Sequence, residues 1–434
     1  MLRLLRASAL RPRACLLQTR CISTNFDARP RELSASGQSA RVIFGAKVAA
    51  TQLGALSRSS GMSKVLVVRD RDAAAASRTQ YAEFLLMQAG LPCFQYTLER
   101  DCATLEGVDH AVSTAQRVGA DGVVGFGGGN AMDTARAVAA VLTNGGSAVD
   151  FVAVADVEDD HEEVKLQQGT LDITPLLLVP TIAGSGAEVA KSTVLLDEDA
   201  ETKVFFAAGK DIVPALTSLG QCLESYLLGC ADDATNALAL EGLEAVAGAL
   251  AAPLKEGKLD LKGAVLREQF AIGSLLSGVA ANSSGTGAAQ ALALSMGGIS
   301  DLPHAQVATA FMPFVFDRYA ELASENEGDP FFDELREKLE NATDRLTAAS
   351  GFQGANVAAW LRYVITRFDL PTASTLELEE SLLNGLVDRA AQYQDESMQV
   401  SRSDDNGAIM EKDDLRSIID SAVLVMEPTK EDDK

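Results

Sequence analysis

Histidine is scarce in this chain: there are three, His110, His161 and His304, in 434 residues. So little imidazole leaves small scope for a histidine-built metal centre, because tight iron or zinc sites need three or four ligands with supporting hydrogen bonds. Positive charge is also short, with 37 Lys and Arg against 61 Asp and Glu and a formal net charge of −24. That balance argues against nonspecific nucleic-acid binding, which needs a basic footprint. No uninterrupted apolar run reaches membrane-spanning length, and the richest, "ALALEGLEAVAGALAAP", is broken by Glu241 and Glu244. The six cysteines show no CxxC or disulfide-like spacing, and two of them lie in the first 23 residues. Cys93, Cys102, Cys222 and Cys230 fit a reducing compartment.

The hydrophobic share of 47% and charged share of 23% are those of a soluble globular protein, and the length predicts two domains rather than one core. Charge is unevenly spread. Residues 1–23, "MLRLLRASALRPRACLLQTRCIS", carry five arginines and no acid, with leucine and alanine between them. This amphipathic, acid-free composition reads as a mitochondrial presequence and points to the matrix; it lacks the long apolar core of a secretory signal. A disordered basic tail is the plainer alternative. Cleavage after "RCIS" would expose Thr24 and leave a still more acidic protein, whose acidity aids solubility.

Two styles of sequence follow one another. Between Arg41 and Phe206, "KVLVVRD" (64–70), "GVVGFGGG" (122–129) and "PLLLVPT" (175–181) read as buried strands alternating with helices, which predicts a parallel sheet covered by helices. The acidic, patternless stretch "VADVEDDHEEVKLQQGT" (154–170) predicts a solvated loop and contains His161. From Ala207 the strands stop and helical spacing takes over, as in "TNALALEGLEAVAGALAAPL" and "FFDELREKLENATDRLTAAS". The expected division is therefore a presequence at 1–23, an α/β domain at 24–206, an all-helical domain at 207–427 and a charged tail at 428–434.

The stretch "DGVVGFGGGNAMDTARAVAAVL" carries the clearest chemistry. A strand runs into Gly127, Gly128 and Gly129, and a helix opens at about Asn130. Glycines let the backbone approach a bulky anion, and the helix N-terminus favours phosphate there. The structural alternative is a tight turn in which Asn130 is the N-cap and Asp133 supports the first turn. A second stretch, "PLLLVPTIAGSGAEVAKSTVL", places Thr181 and Ser185 in a small-residue turn after a strand, suited to phosphate and ribose contacts. Ligands of open α/β sheets collect outside the carboxyl ends of the strands, where both turns belong. Asp70, at the end of "KVLVVRD", stands where a carboxylate binds a ribose 2′-hydroxyl, which would favour NAD over NADP; a surface turn is the alternative.

"GGGNAMDTAR" and "VPTIAGSGAE" resemble the GGGSxxDxAK and PTTAGTGSE motifs of the iron-dependent alcohol dehydrogenases. The resemblance extends through "RVIFGA", "CLESYL", "LPHAQVATAFMP" and "KDDLRSIIDSA". It implies an N-terminal dinucleotide-binding domain, a helical C-terminal domain, and catalysis on a small alcohol, aldehyde or hydroxy acid in the cleft between them. It also implies NAD or NADP, with pyrophosphate held by Gly127, Gly128, Gly129 and Asn130, and with Asp133 in the same motif. Thr181 and Ser185 would lie along the ribose and nicotinamide, and Lys203, in "ETKVFF", near the ribose. The chain is also similar, more locally, to maleylacetate reductases through "LPHA", and to hydroxyacid-oxoacid transhydrogenase through "GGGNAMDT". A homo-oligomer is compatible with the sequence.

The family's metal pattern is not kept. In the helix matching GxDAxxHxxE, anchored on Glu224, Thr217 takes the Asp position and Gln221 the first His position. Gln290 stands at the second His, Leu294 at the substrate-side His, and only His304 remains. Iron or zinc, which the family implies, is therefore expected to be absent, because Gln and Thr are poor substitutes for imidazole and carboxylate. His304 is then either a proton donor near the nicotinamide or a cap of the helix beginning "AQVATAF". The connection between Lys203 and Gln221 is also shorter than the family's. A non-catalytic nucleotide-binding protein that kept the fold is the alternative to an active dehydrogenase.

Overall fold

Short runs rich in valine and leucine, ending at Gly, Asp or Pro, build three of the four strands of the sheet that positions the site. The computed structural model describes residues 31–33, 42–45, 47–151, 173–190, 195–197, 202–203, 212–228, 232–257, 263–285, 287–299, 302, 304–376, 385–401 and 410–424. The arginine-rich segment 1–23, the acidic stretch with His161 and the tail 428–434 lie outside them.

A short antiparallel pair, β1 (Arg31–Leu33) and β2 (Val42–Phe44), leads into α1 (Val48–Ser59). There follow β3 (Val65–Arg69), α2 (Ala73–Gln88), β4 (Cys93–Thr97), α3 (Leu105–Val118), β5 (Gly122–Gly127), α4 (Gly129–Asn144) and β6 (Leu176–Pro180). The four strands form one parallel sheet in the order β4-β3-β5-β6. Alternation along β3 sends Val65 and Val67 toward α1 and α2, with Leu53, Ala82 and Leu86. Leu66 and Val68 face α3 and α4, with Val108, Ala111, Ala131 and Ala135. Both faces are covered, which is why β3 and β5 read as continuous apolar runs. The order of strand addition reverses between β3 and β5, since the chain goes from β3 outward to β4 and then returns to place β5 on the other side of β3. Ligands of such sheets settle in the crevice at that reversal.

Two further short strands, β7 (Leu196–Asp197) and β8 (Thr202–Lys203), pair antiparallel before the helices take over. These are α5 (Ile212–Leu227), α6 (Asp233–Glu256), α7 (Ala264–Ser284), α8 (Ala288–Ile299), α9 (His304–Glu325), α10 (Pro330–Ser350) and α11 (Val357–Arg367). The helices Leu386–Ser401 and Lys412–Leu424 close the described chain. α6 is long and apolar enough to cross a membrane by length and composition. Here it is a core helix, packed among α5, α7 and α10. Trp360, Tyr319, Phe311 and Phe316 are fully buried in the same core.

Candidate functional site

The glycine turn sits at the sheet's reversal point. Gly127 ends β5, and a Cβ there would meet Ala131 Cβ at 2.7 Å and collide with the Asp70 carboxylate. Gly128 is the N-cap of α4, in extended backbone (φ −78, ψ −171), with no side-chain cap. This corrects the reading of Asn130 as N-cap: the cap lies two residues earlier, and Asn130, already inside the helix, donates from Nδ2 to the Asp101 carbonyl at 2.9 Å. Asp70, at the end of β3, crosses the reversal point, and its Oδ2 accepts the Gly128 N–H at 2.6 Å. Burial holds the Asp70 carboxyl above the ordinary carboxylate range, while the N–H groups of Gly128 and Ala131 pull it back. Asp70 thus fastens the glycine turn, and a carboxylate with about four acceptor positions can do so and still take a ribose hydroxyl.

The second turn lies alongside. The Thr181 N–H donates to the Gly127 carbonyl at 2.8 Å, so the two turns leave the sheet side by side. Thr181 Oγ1 and Asn130 Oδ1 are buried and without a hydrogen-bond partner among the described residues. Buried polar atoms are rarely left so. The uncapped first turn of α4 and the Thr181 hydroxyl can donate to an anionic group, and the Asn130 amide oxygen can accept from a hydroxyl, a combination that fits a dinucleotide. Ser185 is exposed, and its Oγ accepts the Ala187 N–H at 3.3 Å.

Asp133 does not support the first turn. It is buried and paired with Arg136 at 3.2 Å, because one helical turn separates them on the face toward the second loop. Desolvation pushes its carboxyl well above the ordinary range, against the attraction of Arg136. Arg136 also donates to the Ala187 carbonyl and so ties α4 to the loop. From the other side, Ser274 of α7 accepts the N–H groups of Gly184 (2.7 Å) and Gly186 (3.2 Å). Gly278 lies under Gly186, which has φ +63, and Asn282 donates to the Val189 carbonyl at 2.9 Å. Residues 274, 278 and 282 recur every four positions, so one face of α7 docks the whole loop. Arg136, Ser274 and Asn282 were not singled out in the sequence, although the i, i+4, i+8 spacing of "SLLSGVAAN" was visible in it. Lys203 belongs to β8, which packs against α8.

In the helical domain the remaining positions converge. His304 is the first residue of α9, not a residue before it, and its Nε2 lies 2.8 Å from Gln290 Oε1 on α8. With an amide oxygen facing the ring, Nε2 is the donor. Thr217 Oγ1, on α5, is 3.5 Å from the Ala305 carbonyl, and Gln221 is one turn further along α5. Leu294 is buried. Glu224, also on α5, accepts the Ala289 N–H at 2.7 Å and so caps α8; burial raises its carboxyl to about 7. One imidazole, two amides and a hydroxyl do not fit a divalent iron or zinc ion. Among the described residues no group of three or more His, Cys, Asp and Glu could hold a metal.

Residues 39–219 match the family described as iron-containing alcohol dehydrogenase, and residues 213–402 match the Fe-containing alcohol dehydrogenase family, C-terminal. Alcohol dehydrogenase 4 of Saccharomyces cerevisiae is 28% identical over 272 residues, covering 58% of this chain and 67% of that protein. The NAD-dependent methanol dehydrogenase of Bacillus methanolicus is 24% identical over 309 residues, 64% of this chain and 77% of that one. The crystal structure of an NADH-dependent butanol dehydrogenase A from Thermotoga maritima shares the fold, with a TM-score of 0.65 at 18% identity over 87% of this chain and 94% of that one.

Proposed function

Because this chain belongs to the iron-containing alcohol dehydrogenase family of oxidoreductases, we propose that it binds NAD(P)(H) at the Gly127–Asn130 turn and transfers a hydride to or from a small alcohol, aldehyde or hydroxy acid. The observation that carries this reading is the pairing of Thr181 with Gly127, which sets two ligand-ready turns side by side at the sheet's reversal point. The nicotinamide supplies the hydride acceptor or donor. The N–H groups of Gly129 and Asn130 would hold the pyrophosphate, Thr181 and Ser185 would flank the ribose and nicotinamide, and Lys203 would lie by the ribose. Asp70 beside the adenosine ribose disfavours a 2′-phosphate, so NAD is the expected cofactor. His304, whose Nε2 faces Gln290 in the helical domain, would be the proton donor.

The buried Leu294 and the neutral set around His304 favour a second reading, a nucleotide-binding relative without turnover. Purified protein assayed with NAD and NADP against a panel of alcohols, aldehydes and hydroxy acids separates the two. Turnover above the nucleotide-free control supports the dehydrogenase, and saturable nucleotide binding without turnover supports the second. The proposal extends to the mitochondrial matrix, from the composition of residues 1–23, and to a protein that takes small-molecule substrates, without nucleic-acid or membrane partners.

A further inference from the structure

Three helices meet around His304, and what they bring together concerns the metal rather than the nucleotide. Thr217 and Gln221 lie one turn apart on α5, Gln290 is in the first turn of α8, and His304 opens α9. The 3.5 Å approach of Thr217 to Ala305 and the 2.8 Å bond of His304 to Gln290 draw these positions to one place. They are the positions at which the resemblance puts the family's ligands, so the frame is present while the donors are changed.

The Nε2 side of the single imidazole, which faces α8, is also committed. With the Gln290 oxygen against the ring, His304 Nε2 carries a proton and has no lone pair for a cation. Were the amide reversed, its N–H would occupy that same lone pair. Gln290 is 5% exposed, and its Nε2 has no partner among the described residues. The group left over is therefore an N–H donor, which repels a cation and receives a neutral oxygen. Glu224, the buried carboxylate of α5, directs Oε1 to the first turn of α8, and as a single carboxylate it does not supply the three or four ligands of a tight site.

We infer that this chain has exchanged its family's metal for a neutral hydrogen-bonded cluster, Thr217, Gln221, Gln290 and His304, which holds no resident divalent cation and receives the oxygen of water or of a substrate hydroxyl or carbonyl. The inference holds whether or not the protein turns over.

Full-length protein, purified without chelator, is analysed for iron and zinc and then titrated with cobalt(II), whose visible spectrum reports ligation. The expected result is substoichiometric iron and zinc and no ligand-field band. The variant Thr217→Asp/Gln221→His/Gln290→His restores the ligand set in the same frame, and should bind cobalt at least roughly a hundredfold more tightly than wild type. Should that variant not fold, Gln290→His alone sets a second imidazole against His304 and should still gain affinity over wild type. One metal per chain in wild type, or a wild-type cobalt band lost in His304→Ala, overturns the inference. So does the absence of any gain in a variant shown by circular dichroism to be folded.

Discussion

The hydroxyl of Ser274, in the helical domain, accepts the backbone N–H of Gly184, in the loop beside the glycine turn, at 2.7 Å. The same oxygen takes the N–H of Gly186 at 3.2 Å, so one side chain satisfies two donors across the domain junction. The loop that would flank a nicotinamide is thereby held by the domain that would hold the substrate. Ser274→Ala leaves both donors without this acceptor, and burying an unsatisfied donor costs about 1–3 kcal/mol. Denaturant unfolding should show a loss of that order. Ser277→Ala, which removes only a bond to the carbonyl of its own helix, should cost much less.

Gly127 and its neighbour Gly128 differ sharply. A Cβ at Gly127 meets Ala131 at 2.7 Å and collides with Asp70, which buttresses the turn. Gly127→Ala should therefore lower the melting temperature by several degrees, in line with overpacking costs of about 1–3 kcal/mol. An unchanged melting temperature would mean that Asp70 does not stand against this turn.

Glu224 gives a pH dependence with a definite sign. Burial raises its carboxyl from an ordinary 4.5 to about 7 in the folded state. The folded protein therefore holds this proton where the unfolded chain has lost it. Stability falls as pH rises through that window and levels off above the folded value. Glu224→Gln keeps an oxygen for Ala289 and removes the ionisation. Its denaturation midpoint should fall less than that of wild type across the same window, and a parallel fall in both proteins would exclude Glu224 as the source.

The strands and the helical second half were legible in the sequence because β3 and β5 are buried on both faces and the later helices keep a 3.6-residue rhythm. The glycine turn was legible for the same reason, a strand running straight into three glycines. What was not legible is which side chains hold the turns. Asp133 has the spacing of a capping residue, yet α4 begins at Gly129 and turns it toward Arg136. Asp70 reads as a ribose ligand from its place after β3, while its bond to Gly128 spans 58 residues and depends on strand order. Likewise β4, with Phe94 and Gln95 exposed on the sheet edge, lacks the apolar run that marks its neighbours.

Import makes a prediction of its own. The arginine-rich segment 1–23 should be absent from protein isolated from its organelle, and N-terminal sequencing should begin close to Thr24. Recovery of an intact Met1 in that material would contradict a cleaved presequence.

The central claim is that a nicotinamide dinucleotide seats on the turn that begins α4. Gly128 tests it most directly, because its extended backbone admits a β-branched residue and a Cβ there meets Ile182 and Asp70 only at ordinary contact, 3.4 and 3.5 Å. Gly128→Val should fold as wild type does while its methyl groups obstruct the approach to the pyrophosphate. NADH fluorescence titration of the two proteins is the measurement. Saturable binding to wild type, weakened at least roughly tenfold in a folded Gly128→Val (about 1.4 kcal/mol), is the predicted result. Equal affinity in the two proteins, or no saturable binding to wild type, would contradict it.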